Sequence, residues 1–129
     1  ILIGRELDKN TQLITIEIHE GDAKMAEENI KRAQIPPTVQ VLVGDAVKII
    51  PQLQGQFDLV FIDAEKTEYF GYLRLVEDKL HKGSVVVADN VGIPADQMRD
   101  YLNYMRRSGK YKSRYVGMGE DGLEISVKL

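Results

Sequence analysis

The chain of 129 residues has no cysteine and only two histidines, His19 and His81. Disulfides, thiolate metal sites and cysteine nucleophiles are thereby excluded, and without a His-Glu metal spacing a zinc centre is not expected. No GxSxG elbow appears, so serine hydrolysis has no support. No apolar run approaches the roughly 18 residues of a membrane span. Basic excess is also missing: 17 Lys and Arg stand against 20 Asp and Glu, a net charge of -3. No global field therefore recruits nucleic acid or an anionic membrane, and the lack of any export signal makes a cytoplasmic setting the expectation. What remains, 43% hydrophobic and 29% charged residues, is the balance of a soluble globular domain.

Strand and helix patterns alternate. Gln12 to His19 (QLITIEIH), Thr38 to Val43, Phe57 to Ile62 (FDLVFI) and Ser84 to Ala88 (SVVVA) read as strands rich in β-branched residues. Between them, Ala23, Met25, Ala26, Ile30 and Ala33 keep helical spacing in a segment that must end before Pro36 and Pro37. Ala46 to Leu53 predicts a short helix interrupted by Pro51, and Glu68 to Leu80 a longer one closed by His81, Lys82 and Gly83. Pro94 to Arg107 predicts a further helix, and Tyr111 to Val116 with Leu123 to Val127 a final antiparallel pair joined by a Gly-rich connection containing Asp121 and Gly122. The class is α/β with parallel βαβ units, and the continuous VVV at 85 to 87 fits a strand buried on both faces.

In an open parallel sheet, ligands bind beyond the carboxyl ends of the strands. Here those ends carry Glu17, then Gly44 and Asp45, then Asp63, then Asp89 with Asn90. A lone Asp-Asn pair most often caps a turn. Asp63 and Asp89, however, are separated by one strand-helix-strand unit, and on neighbouring strands their backbones would lie about 5 Å apart. Two carboxylates and the Asn90 amide then form an oxygen-only half shell suited to Mg or another hard divalent ion. Glu17 is placed to accept hydrogen bonds from the hydroxyls of a ribose, and Asp45 to receive an adenine amino group. Lys66, three residues past Asp63, is either a surface lysine or an amine held over the metal.

The strings ITIEI, VGDA, IIPQL, LVFIDAEK and VVVADNV, closed by DGLEISVKL, resemble the S-adenosylmethionine-dependent O-methyltransferases of the catechol and caffeoyl-CoA type, in their microbial branch. The resemblance runs from about Gln12 to Leu129. It implies a class I methyltransferase fold: a Rossmann-like, mostly parallel sheet with helices on both faces and a C-terminal antiparallel hairpin. It also implies a divalent metal that holds the two oxygens of a vicinal diol in a small hydroxylated substrate. Carried over by position, Glu17 binds the cofactor ribose, and Gly44, Asp45 and Ala46 lie against the adenine. Asp63, Asp89 and Asn90 hold the metal, Asp63 also bordering the cofactor, and Lys66 takes the proton from the attacking hydroxyl. The family's first strand and Gly-rich loop would precede Ile1 and lie between the strands ending at Glu17 and Asp63. The expectation is thus one methyltransferase domain over 1–129 lacking its N-terminal part. Where animal catechol enzymes carry an acid that clamps the second hydroxyl, this chain offers Arg114 or Tyr115.

Two alternatives stand beside this expectation. The run Arg106, Arg107, Lys110, Lys112 and Arg114 would suit a modified RNA nucleoside as methyl acceptor, although such runs are usually solvated faces. The missing Gly-rich loop would suit a noncatalytic cofactor-binding or homodimerisation module.

Overall fold

A computed structural model of the chain describes residues 1–92 and 95–129. It divides into two compact units, Ile1–Gln52 and Leu53–Leu129. The expected helix start at Pro94 lies outside the described residues.

The N-terminal unit is a βαβ arrangement preceded by a single helical turn, α1 (Leu2–Arg5). β1 (Gln12–Glu17) and β2 (Thr38–Val43) pair in parallel from Gln12 with Thr38 to Glu17 with Val43. Between them runs α2 (Glu20–Ala33), with Glu20 and Asp22 in its first turn and Lys31 and Arg32 in its last, as the helix dipole favours. Gln34 closes α2 in the left-handed conformation, φ +47, two residues before the proline pair. The covered stripe of α2 is Ala23, Ala26, Ile30 and Ala33, whereas Met25 is 60% exposed. Met25 therefore leaves the apolar face expected of it, because its spacing from Ala23 is not a helical repeat. α3 (Ala46–Ile49) follows β2 and passes into a 3-10 turn, Ile50–Gln52, at Pro51.

The C-terminal unit is a four-stranded sheet in the order β3-β4-β6-β5. Its strands are β3 (Phe57–Ile62), β4 (Leu80–Ala88), β5 (Tyr111–Met118) and β6 (Asp121–Lys128). β3 and β4 are parallel, and β6 is antiparallel to both β4 and β5. The α/β class with an antiparallel C-terminal pair is therefore found. Among the described residues no ladder joins β1 to β3, the place where the resemblance implies a further strand.

α4 (Tyr69–Val76) and α5 (Arg99–Arg107) cover one face of this sheet. There Tyr69, Leu73, Tyr101, Leu102 and Met105 pack with Ile62, Val86 and Ala88. Burying each large apolar side chain is worth roughly 1.5–3 kcal/mol, and Tyr69 meets Tyr101 edge-on at 6.1 Å between ring centres. The opposite face is more open, with Leu59 at 43% and Phe61 at 44% exposure and Val85 and Val87 half-buried. The expectation that VVV is buried on both faces thus holds for Val86 alone.

Three local expectations need correction. His81, Lys82 and Gly83 do not end a helix: α4 stops at Val76, a 3-10 turn covers Glu77–Lys79, and β4 begins at Leu80. A register shift follows the Phe57–Leu80 pair, and Gly83 at φ +93 supplies the conformation that this irregularity demands. Ser84 fastens it by donating to the Phe57 carbonyl at 2.8 Å and accepting from the His81 N–H at 3.0 Å. Asp121 and Gly122 are strand residues, paired with Met118 and Gly117, so the hairpin turn falls on Gly119 and Glu120. The last helix is a 3-10 turn over Ala95–Met98 before α5 becomes regular.

Candidate active site

Strand register assembles the acidic ends within each unit. In the C-terminal unit, Ile62 pairs with Ala88, so Asp63 and Asp89 follow side by side on adjacent strands. The Asp89 N–H donates to the Ile62 carbonyl at 3.0 Å, carrying the ladder one bond further. Asn90 then turns left-handed at φ +58, a conformation asparagine adopts more readily than most residues. Its N–H donates to Asp89 Oδ1 at 2.8 Å. Asp63 is exposed, and Asp89 and Asn90 are half-buried.

Two carboxylates and an amide at adjoining strand ends are an oxygen-only donor set, the chemistry hard divalent cations select. The residues fit such an ion. Among the described residues no group of three or more His, Cys, Asp and Glu side chains could hold a metal; the set here is two carboxylates and one amide. Lys66 opens the 3-10 turn Lys66–Glu68 and is half-buried.

Two residues at this end of the sheet escaped the sequence-based reading. Asp121 Oδ1 accepts from the Gly92 N–H at 3.0 Å and the Gly122 N–H at 2.8 Å. The Gly122 and Gly92 hydrogen bonds, with the charge of Lys66 nearby, hold the Asp121 carboxyl below its usual range. The Val91 N–H donates to the Gly122 carbonyl at 3.0 Å, so the backbone after Asn90 is stitched to the start of β6. A Cβ on Gly92 would lie 2.9 Å from the Glu120 carbonyl oxygen, and only glycine permits this approach. The available signal was an Asp-Gly pair directly before an alternating strand.

The second is Tyr69, which falls within the helix expected over Glu68 to Leu80 and carries no polar expectation there. Its hydroxyl accepts from the Ala64 N–H at 3.4 Å and donates to the Asp89 carbonyl at 3.0 Å. Burial pushes the phenol above its ordinary value, the Ala64 N–H works against the rise, and Asp63, Asp89 and Asp121 add to it. The phenol thus remains a proton donor at neutral pH.

In the N-terminal unit, Glu17 pairs with Val43 and its carbonyl accepts from the Gly44 N–H at 2.9 Å. The half-buried Glu17 side chain accepts from the His19 N–H at 3.1 Å. Gly44 adopts φ +141, and a Cβ there would meet Ile49 Cδ1 at 3.1 Å. Asp45 is the N-cap of α3, its Oδ1 accepting from the Val47 N–H at 3.0 Å, and Ala46 is the first helical residue. A carboxylate has about four acceptor positions, so the cap does not exhaust Asp45.

Other singled-out residues are engaged elsewhere. His81 Nε2 lies 2.5 Å from Asp58 Oδ1, a bond that raises its pKa with help from the Lys82 carbonyl. Tyr115 lies over the hairpin backbone, where a Cβ on Gly122 would fall 2.5 Å from its ring; Arg114 is exposed. Of the basic run, Arg106 forks onto Glu124 at 2.8 and 2.7 Å, and Lys110 donates to the Tyr104 hydroxyl at 3.1 Å.

A family model described as O-methyltransferase matches residues 1–106. Catechol O-methyltransferase B of Danio rerio is 38% identical over 142 residues, covering 100% of this chain and 53% of that protein. Catechol O-methyltransferase of Niastella koreensis is 41% identical over 95 residues, 70% of this chain and 43% of its own. In fold, the O-methyltransferase from Bacillus cereus, solved in complex with SAH, matches with a TM-score of 0.89 over 98% of this chain and 67% of that one, at 23% identity. The chain belongs to the O-methyltransferase family. It spans about half the length of the curated relatives it matches.

Proposed function

We propose that residues 1–129 form a methyltransferase domain that moves the methyl group of S-adenosylmethionine to a hydroxyl of a small diol or hydroxylated aromatic, in a cytoplasmic setting. The observation that carries this is the register pairing of Ile62 with Ala88, which sets Asp63 beside Asp89 and Asn90. Asp63, Asp89 and Asn90 would hold a divalent cation of the Mg class. When bound, such a cation lowers the pKa of an acceptor hydroxyl and orients it. Lys66 would accept the hydroxyl proton, and S-adenosylmethionine would supply the methyl group to the oxygen so freed, leaving as S-adenosylhomocysteine. Glu17 would take the ribose hydroxyls of the cofactor, and Gly44, Asp45 and Ala46 its adenine side. Family membership supports this reading; none of the described helices is long and apolar enough to cross a membrane. The RNA alternative loses ground, because Arg106 and Lys110 of its basic run are bonded within the protein.

The test is calorimetric titration with S-adenosylhomocysteine together with methyl transfer to catechol in the presence of Mg. Asp63→Ala and Asp89→Ala should abolish transfer and Asp89→Ala should spare cofactor binding. Glu17→Ala should weaken cofactor binding by about 1.5–3 kcal/mol, the worth of a hydrogen bond to a charged group. Transfer that survives in either aspartate variant removes the metal role. Cofactor binding with no transfer to any diol by the unaltered chain would instead identify a noncatalytic module.

A further inference from the structure

We infer that Tyr69 is a positioning residue that sets the spacing of the Asp63 and Asp89 strand ends through its hydroxyl, and that it thereby tunes cation affinity. The inference rests on the metal role proposed for those two aspartates. Asp63 is flanked by two backbone groups, the Ile62 carbonyl and the Ala64 N–H, and both are tied to Asp89. The first accepts from the Asp89 N–H directly at 3.0 Å. The second reaches the Asp89 carbonyl through the Tyr69 hydroxyl, at 3.4 Å on one side and 3.0 Å on the other. A closed ring of hydrogen bonds therefore runs around the two acids, and Tyr69 supplies its one side-chain link.

The ring is held from below. Tyr69 is fully buried, begins α4 and packs its ring edge against Tyr101. The hydroxyl has no freedom to follow the strand ends if they separate; the strand ends must meet the hydroxyl. Tyr101 offers the contrast, since it is equally buried but its hydroxyl has no hydrogen-bond partner among the described residues. One buried tyrosine thus spends its hydroxyl on the acidic pair while its neighbour serves packing alone. Groups that orient metal ligands without touching the ion commonly change affinity by about 10–100-fold when removed.

The experiment is titration of the 129-residue chain with Mn²⁺, free ion being read by electron paramagnetic resonance, alongside thermal unfolding. Tyr69→Phe keeps the ring and deletes the link, and should weaken Mn²⁺ binding by about 10–100-fold. Tyr101→Phe removes an equally buried hydroxyl and should leave Mn²⁺ affinity unchanged. Asp63→Asn should abolish binding and checks the underlying metal role. If Asp63→Asn abolishes binding but Tyr69→Phe binds like the unaltered chain, the positioning role is overturned and the metal role stands. If the unaltered chain binds no Mn²⁺, or Asp63→Asn binds as well as it does, the metal role fails and takes the positioning role with it. A Tyr69→Phe chain that does not fold, or an equal loss of affinity in Tyr101→Phe, also overturns it, because the hydroxyl then serves the fold and not the acids.

Discussion

Of the buried hydrophobic side chains, Ile1–Gln52 contributes only Ala23 and Ile50, whereas Leu53–Leu129 gathers Tyr69, Leu73, Val86, Met98, Tyr101, Met105 and others into one cluster. All six tyrosines and all three phenylalanines lie in the C-terminal unit. The two units nevertheless present the same device, a parallel strand pair whose carboxyl ends carry acids. They differ in what holds that device. In the N-terminal unit the ends are fixed by local hydrogen bonds, Gly44 to Glu17 and Val47 to Asp45. In the C-terminal unit they are fixed to a packed core through Tyr69. Segments with few buried apolar contacts open at lower free energy than packed ones. The acids proposed for the cofactor therefore sit on the softer support and those proposed for the metal on the stiffer one.

The largest test of this contrast is truncation in each unit. Leu73 is fully buried in the C-terminal cluster, and Leu73→Ala should cost about 2–5 kcal/mol. Ile50 is the only large apolar side chain buried in the N-terminal unit, at 8% exposure. Ile50→Ala should cost no more than about 2 kcal/mol, because a thinly covered site collapses around the deletion. Tyrosine fluorescence in urea follows the C-terminal unit alone, and far-ultraviolet circular dichroism follows both. Equal losses would break the contrast.

An acid titration sharpens it. Glu124 is fully buried on the covered face of β6, with Arg106 on both oxygens and Ser113 donating to Oε1 at 2.6 Å. Burial alone pushes its carboxyl up, but the Arg106 and Ser113 bonds outweigh burial and hold it below its ordinary value of 4.5. The unfolded chain then takes up this proton at higher pH than the folded one. The stability that Glu124 confers is present above the ordinary carboxylate range and is lost as pH falls through the folded value. The urea midpoint read by tyrosine fluorescence should drop as the pH is lowered below about 4.5, by less than the Leu73→Ala loss, and Glu124→Gln should flatten that slope.

Much of this architecture is legible in the sequence because it is periodic. Thr38–Val43 and Phe57–Ile62 have the bounds read from their apolar runs, and the acids at the strand ends follow from them. What stays hidden arises from contacts distant in sequence. His81 to Gly83 carry helix-ending residue types, and only pairing with β3 makes them part of a strand. Asp121 looks like a turn residue until Gly92 is brought against it. Tyr69 and Tyr101 share an apolar stripe pattern and the same burial; which hydroxyl meets an acidic strand end depends on where the helix begins. Glu124 is set beside Ala88 by the β4–β6 pairing, and its buried charge is met by Arg106 arriving from α5.

The smallest expected effect falls in the N-terminal unit and concerns the Asp45 cap. Asp45→Ala removes the acceptor for the Val47 N–H and should cost about 1 kcal/mol. In a unit held by local bonds that loss should remain local. Hydrogen exchange should quicken at the amides of α3, while the tyrosine-monitored midpoint of the C-terminal unit stays in place. Asp45→Asn separates this support from any contact with adenine, since asparagine caps about as well as aspartate but carries no charge. Slow exchange in α3 together with weaker S-adenosylhomocysteine binding would give Asp45 both a capping and a ligand role. Unchanged binding would leave it a cap alone. A shift of the tyrosine midpoint in Asp45→Ala would mean that the cap supports more than its own unit, and the difference in support between the two strand pairs would no longer hold.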